Sequence, residues 1–125
     1  MSNYRFLNAN PDDNDSEDCT VRAISVFLNK PWNDIYWDLA IEGFLMKTMP
    51  VEDIVWSRYL EKQGCKFSRI PNECPMCYTV NDFTDKHNHG RYLLKVADHV
   101  VCSANGYYYD TWDSGNEIVL FYWYR

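Results

Sequence analysis

The chain reads as an α+β domain in which N-terminal helices pack on a C-terminal antiparallel sheet. Three observations predict this. Apolar residues recur at helical spacing in the first half. Short runs rich in β-branched and aromatic residues fill the last third. Asn105-Gly106, between two such runs, is a strong two-residue hairpin signal. The order is helices first, then strands, rather than an alternation. At 125 residues the chain fits one domain, 1–125, with a single core.

The elements follow in order. Asn10 to Asp18 is a polar, acidic run that reads as a solvated loop, with Ser16 and Asp18 both suited to cap a helix. From Cys19 to Asn29, Ala23, Ile24, Phe27 and Leu28 recur at helical spacing, and Lys30-Pro31 ends the pattern. A second helix is expected from Trp32 or Asn33 to about Gly43, with Ile35, Tyr36, Leu39 and Gly43 on its inner face. A third fits Val51 to Lys62, its stripe being Ile54, Val55, Tyr59 and Leu60, stopped near Gly64. A short fourth spans Thr79 to His87, with Thr79 as cap and Asp82 three residues on. Strands are expected at Arg91–Val96, His99–Ser103, Tyr107–Trp112 and Glu117–Tyr124.

Composition bounds the function. Twelve basic and eighteen acidic side chains leave a net charge of −6. That disfavours nucleic acid, which needs a basic face, and anionic membrane surfaces. No apolar run approaches a membrane span, and the N-terminal residues lack a signal-like apolar stretch. Five cysteines, an odd count, favour free thiols. A cytoplasmic protein is the expectation.

Two constellations carry chemistry. The first centres on Cys19, at the start of the first helix, where unpaired N–H groups favour a thiolate. The acids before it oppose that effect, so Cys19 needs a cationic partner. His99 can supply one. If Asn105 and Gly106 are the turn, 103 opposes 108, 101 opposes 110 and 99 opposes 112. His99, Asp110 and Trp112 then share a face, with Asp110 diagonal to His99 and able to orient its ring. Asp113 falls on the other face. Tyr108, on the His99 face, is expected to line a cleft wall. Cys65 and Cys102 read as core residues.

These residues resemble the papain-like cysteine peptidases, particularly their compact bacterial and phage-type members. The resembling segments are Asp18-Cys19-Thr20-Val21-Arg22-Ala23-Ile24, Gly90-Arg91-Tyr92-Leu93-Leu94, Asp98-His99-Val100-Val101 and Gly106 to Asp113. The order Cys, His, Asp is the papain order, and Asp110-Thr111-Trp112 matches the family's third-member pattern. The resemblance implies a peptide or protein substrate, no cofactor, and acyl transfer through Cys19, His99 and Asp110. Family members carry a Gln about six residues before the Cys. Position 13 here is Asp, which leaves Asn14 as the expected oxyanion donor beside the Cys19 N–H. A non-catalytic interaction module on the same scaffold is the alternative.

The second constellation is Cys74, Cys77, His87 and His89, a CxxC followed by HxH. Two thiolates and two imidazoles could hold a structural zinc and make a zinc-stapled binding module. The reading adopted is plainer, a surface loop with reduced thiols and two solvated histidines.

Overall fold

The computed structural model describes residues 3–70 and 77–125. Its elements run β1 (Tyr4–Phe6), α1 (Cys19–Leu28), α2 (Trp32–Met46), α3 (Asp53–Lys62), β2 (Lys66–Arg69), α4 (Val80–Lys86), β3 (Arg91–Val96), β4 (His99–Ala104), β5 (Tyr107–Asp110) and β6 (Phe121–Tyr124). The architecture is a mixed α+β one. The sheet has six strands in the order β1-β5-β4-β3-β6-β2. β1 pairs parallel to β5, so the expected all-antiparallel sheet is corrected at that edge.

The turns have identifiable causes. Asn105 and Gly106 both take positive φ, as a two-residue hairpin of right-handed strands requires. The pairing that follows sets Ser103 opposite Tyr108 and Cys102 opposite Tyr109. Asn29 closes α1 in the left-handed conformation, and the Ser25 hydroxyl donates to the Lys30 carbonyl at 2.6 Å. At the start of α4 the Thr79 hydroxyl accepts from the Asp82 N–H, and the Asp82 carboxylate accepts from the Thr79 N–H, each at 3.1 Å. Gly43 lets the turn after α2 fold back, since a Cβ there would meet the Thr48 carbonyl at 2.8 Å.

The sheet separates two apolar layers. On one face α1, α2 and α3 cover Leu93, Val100, Cys102, Ala104 and Trp123. On the other, Val80 and Phe83 of α4 pack with Leu94, Val96, Val101, Tyr108 and Val119. Alternate residues of β3 and β4 divide between the layers, as strand geometry dictates.

Expectations about three elements are corrected. α2 runs one turn further than expected, and Tyr36 is exposed while Glu42 is buried. Glu42 can be buried because Lys62 and Arg58 pair with it. α3 begins at Asp53, and its inner stripe takes Trp56 in place of the exposed Ile54. The strand expected from Glu117 starts only at Phe121. Among the described residues no helix is long and apolar enough to cross a membrane.

Candidate active site

Cys19 is the first residue of α1, and Asp18 is its N-cap. The Asp18 side chain does not cap the helix. Its carboxylate pairs with Arg22 and accepts from the Trp32 indole at 2.9 Å and the Asn10 amide at 3.3 Å. The acid next to the nucleophile is thus neutralised by a cation one turn along, which removes much of the repulsion that a thiolate would meet there.

His99 opens β4 and is buried. The Ala97-Asp98 turn before it, with Asp98 at φ 52°, starts the strand at that point. Its Nε2 lies 2.6 Å from Asp110 Oδ2. The same ring lines one cavity with Cys19, and its influence lowers the thiol's pKa. With Nε2 committed to the carboxylate, Nδ1 is the nitrogen left to exchange a proton with sulfur.

Asp110 ends β5 and is buried with its oxygens occupied. Oδ2 also accepts from the Ser114 hydroxyl at 2.7 Å. Oδ1 accepts from the Thr111 N–H at 2.8 Å and lies 4.0 Å from the Arg22 guanidinium. Asp113 has other partners, the Tyr108 hydroxyl and the Gly115 N–H. The hairpin argument therefore selects the carboxylate that His99 meets.

The electrostatics reinforce each other. Burial opposes ionisation of Cys19, but the hydrogen bond and charge of His99, the Val100 N–H and the Thr20 hydroxyl outweigh it and lower the thiol pKa. Burial also opposes charging His99. The hydrogen bonds with Asp110 and Cys19, and the charges of both, raise it from 6.5 to about 9. At neutral pH His99 carries its proton, and the Cys19 thiol beside it is biased toward its anion.

A cavity of about 430 Å³ opens onto this pair, lined by Cys19, Arg22, His99, Thr111 and Trp112, with Asp15, Glu17 and Asp98 at its rim. The Trp112 ring lies 4.8 Å from the His99 ring and shields one side of it. Asn14 is exposed and lines an adjoining depression with Arg22, Thr111 and Trp112. Cys19 is not among the residues that line that depression. Tyr108, expected at the cleft wall, is fully buried in the α4 layer, because its strand face is covered there.

Sequence reasoning missed Arg22 and Ser114. Arg22 lies three residues after Cys19, so the two share one side of the helix, and its charge sits beside two buried carboxylates. That spacing was the available signal. Ser114 carries none, since its position depends on the turn after β5.

The second constellation does not assemble from its described members. Cys74 lies outside the described residues. Cys77 and His89 are exposed. His87 was expected in solvent, but its ring stacks on Phe83 at 3.8 Å and its Nδ1 lies 3.0 Å from the Phe83 carbonyl. Among the described residues no three His, Cys, Asp or Glu side chains gather as metal ligands. Cys65 and Cys102 are buried, and burial pushes the Cys102 thiol up to about 12, far from reactive. No protein-family model matches the chain, nor does any curated protein or solved structure.

Proposed function

We propose that the chain is a papain-like cysteine peptidase or a related amide hydrolase. The observation that carries this reading is His99 sharing one cavity with the helix-terminal Cys19 while its Nε2 lies 2.6 Å from Oδ2 of the buried Asp110. The Cys19 thiolate attacks an amide carbonyl of a peptide or protein. The tetrahedral adduct collapses as the imidazolium of His99 gives its Nδ1 proton to the departing amine. His99, now neutral, takes a proton from water, whose oxygen attacks the thioester and frees the acid, restoring the thiolate and imidazolium. Asp110 holds the ring and stabilises its charged form. The Cys19 N–H is one oxyanion donor. Arg22, which lines the same cavity, and Asn14, on the adjoining depression, are the candidates for the second. The four described cysteines are unpaired, which suits a reducing, cytoplasmic setting.

The position of Asn14 also favours a second reading, an interaction module that keeps the pair but lacks a full oxyanion hole. Both readings are tested by mapping alkylation with iodoacetamide and with a peptidyl vinyl sulfone at neutral pH. The peptidase reading expects Cys19 to react with each at least about tenfold faster than the exposed Cys77, the advantage disappearing in His99→Ala. A module with an incomplete site expects fast iodoacetamide labelling and no preference for the peptidyl reagent. Equal rates at Cys19 and Cys77 with both reagents would sink the nucleophile assignment.

A further inference from the structure

The charges around the Cys19–His99 cavity do not balance. Its two cationic side chains already have partners. Arg22 pairs with Asp18 and lies 4.0 Å from Asp110, and His99 lies 2.6 Å from Asp110. Two acids thus answer two cations. Asp15 and Glu17, from the loop before α1, and Asp98, from the turn before β4, line the same cavity. All three are exposed, and none forms an ion pair with another described residue. Three carboxylates therefore stand beside Cys19 without a cation. A net charge of −6 does not by itself produce this. The cavity at the other end of α1, about 600 Å³, is lined by Lys30 and Arg91 and by no acid.

A second feature of the wall points the same way. Trp112, in the chain after β5, is 44% exposed and lines both this cavity and the adjoining depression. The face of an indole attracts a cation. A recess walled by one sign of charge concentrates ligands of the opposite sign. A basic side chain entering here gains both attractions. An acidic one meets three like charges, with the Arg22 guanidinium already engaged. Resting on the amide-hydrolase reading, we infer that the substrates are peptides or proteins with a Lys or Arg side chain beside the bond that is cut. Asp15, Glu17, Asp98 and the Trp112 ring receive that cation and determine the specificity.

The charge of the cavity is readable at Cys19 without a substrate. Methanethiosulfonates carrying a trimethylammonium, a methyl or a sulfonate group each form a mixed disulfide with a thiolate and release methanesulfinate. Their rates are measured at Cys19 and at the exposed Cys77, which reports the field of the whole molecule. In about 0.1 M salt the cation-to-anion rate ratio at Cys19 should exceed that at Cys77 at least about fivefold, and the excess should vanish near 1 M. Asp15→Asn, Glu17→Gln and Asp98→Asn should each lower the excess by about a third to a half, and the triple variant should abolish it. Glu61→Gln removes the same charge from α3, beside a separate cavity, and should change it by less than about 20%. Peptidyl vinyl sulfones with Lys, norleucine or Glu at the positions flanking the warhead then test the substrate class. At one of these positions Lys should react at least about tenfold faster than norleucine, and Glu slowest, a preference the triple variant loses. Equal charge ratios at Cys19 and Cys77, or vinyl sulfones that label Cys19 regardless of charge, overturn the proposal and leave the hydrolase reading standing. Failure of every vinyl sulfone at Cys19 overturns that reading, and the proposal with it.

Discussion

The two layers of the molecule differ in what they contribute to the candidate site. The layer under α1, α2 and α3 is the larger, and through Val21, Ala23 and Ile24 it anchors the helix that starts at Cys19. The layer under α4 is smaller. It lies on the sheet face that, by strand parity, belongs to His99, Val101 and Tyr108. Cys19 is thus fixed by one layer, while His99 and Asp110 sit on strands braced from the other. The site lies where the strand ends let residues of both layers meet. This division separates two kinds of damage: loss of the thiol's helix and loss of the imidazole's orientation.

The sharpest way to break the comparison is Asp110→Ala. It removes the orienting carboxylate and leaves His99, Ser114 and the Thr111 N–H without their acceptor. The expected loss in rate is about 100- to 10,000-fold. The pH profile of Cys19 alkylation should change with it. In the native chain His99 is charged up to about pH 9, so the ion pair is lost as pH rises through that value. In the variant that alkaline limb should move down toward 6.5. The sign for stability is the same. A raised His pKa stabilises the fold fully below 6.5, and that contribution disappears through about 9.

A second test compares the layers directly. Phe83→Ala should cost about 3–5 kcal/mol, measured by urea unfolding, because a fully buried ring is deleted from the smaller layer. Hydrogen exchange should then show protection lost in α4 and β5 while α1 retains its own. Equal loss in α1 would mean that the layers open as one unit.

The smallest effect expected is at Gly115→Ala, about 1–3 kcal/mol by thermal unfolding. A Cβ there would collide with the Tyr108 hydroxyl and the Asn81 amide. The same turn carries Ser114 to Asp110, so His99 should lose some of its raised pKa without any change at Cys19's helix.

What was legible in the chain follows from how local its causes are. Asn105-Gly106 fixed a register, and that register placed Asp110 against His99 and Asp113 elsewhere. The bounds of β3 and the capping of α4 were readable from propensity and spacing. β1 and β2 were not. Tyr4–Phe6 has three residues, and the Lys66–Arg69 strand is mostly exposed, so neither shows the alternation that a half-buried strand displays. Their pairing comes from partners far along the chain. Tyr36 and Trp56 failed for a related reason. A helix's inner side is set by its neighbours, and an aromatic residue beside the stripe can fall either way. Asn14 was placed by analogy with a residue type, and the loop that carries it is shaped by Asn8 and Asn10, each side chain bonding nearby backbone.

The parallel pairing of β1 on β5 has a kinetic consequence. Phe6 registers with Asp110, about a hundred positions away, while β3, β4 and β5 close through two-residue turns. Contacts of that separation form late, because the intervening loop must be closed first. The hairpins that join His99 to Asp110 can assemble early. The segment between β1 and α1, which supplies the cavity wall at Asp15 and Glu17, is pinned at its leading end only when β1 docks. β1, the earliest of the described strands in the chain, is therefore among the last to find its place. Until it does, the segment carrying Asp15 and Glu17 is held only from its α1 end.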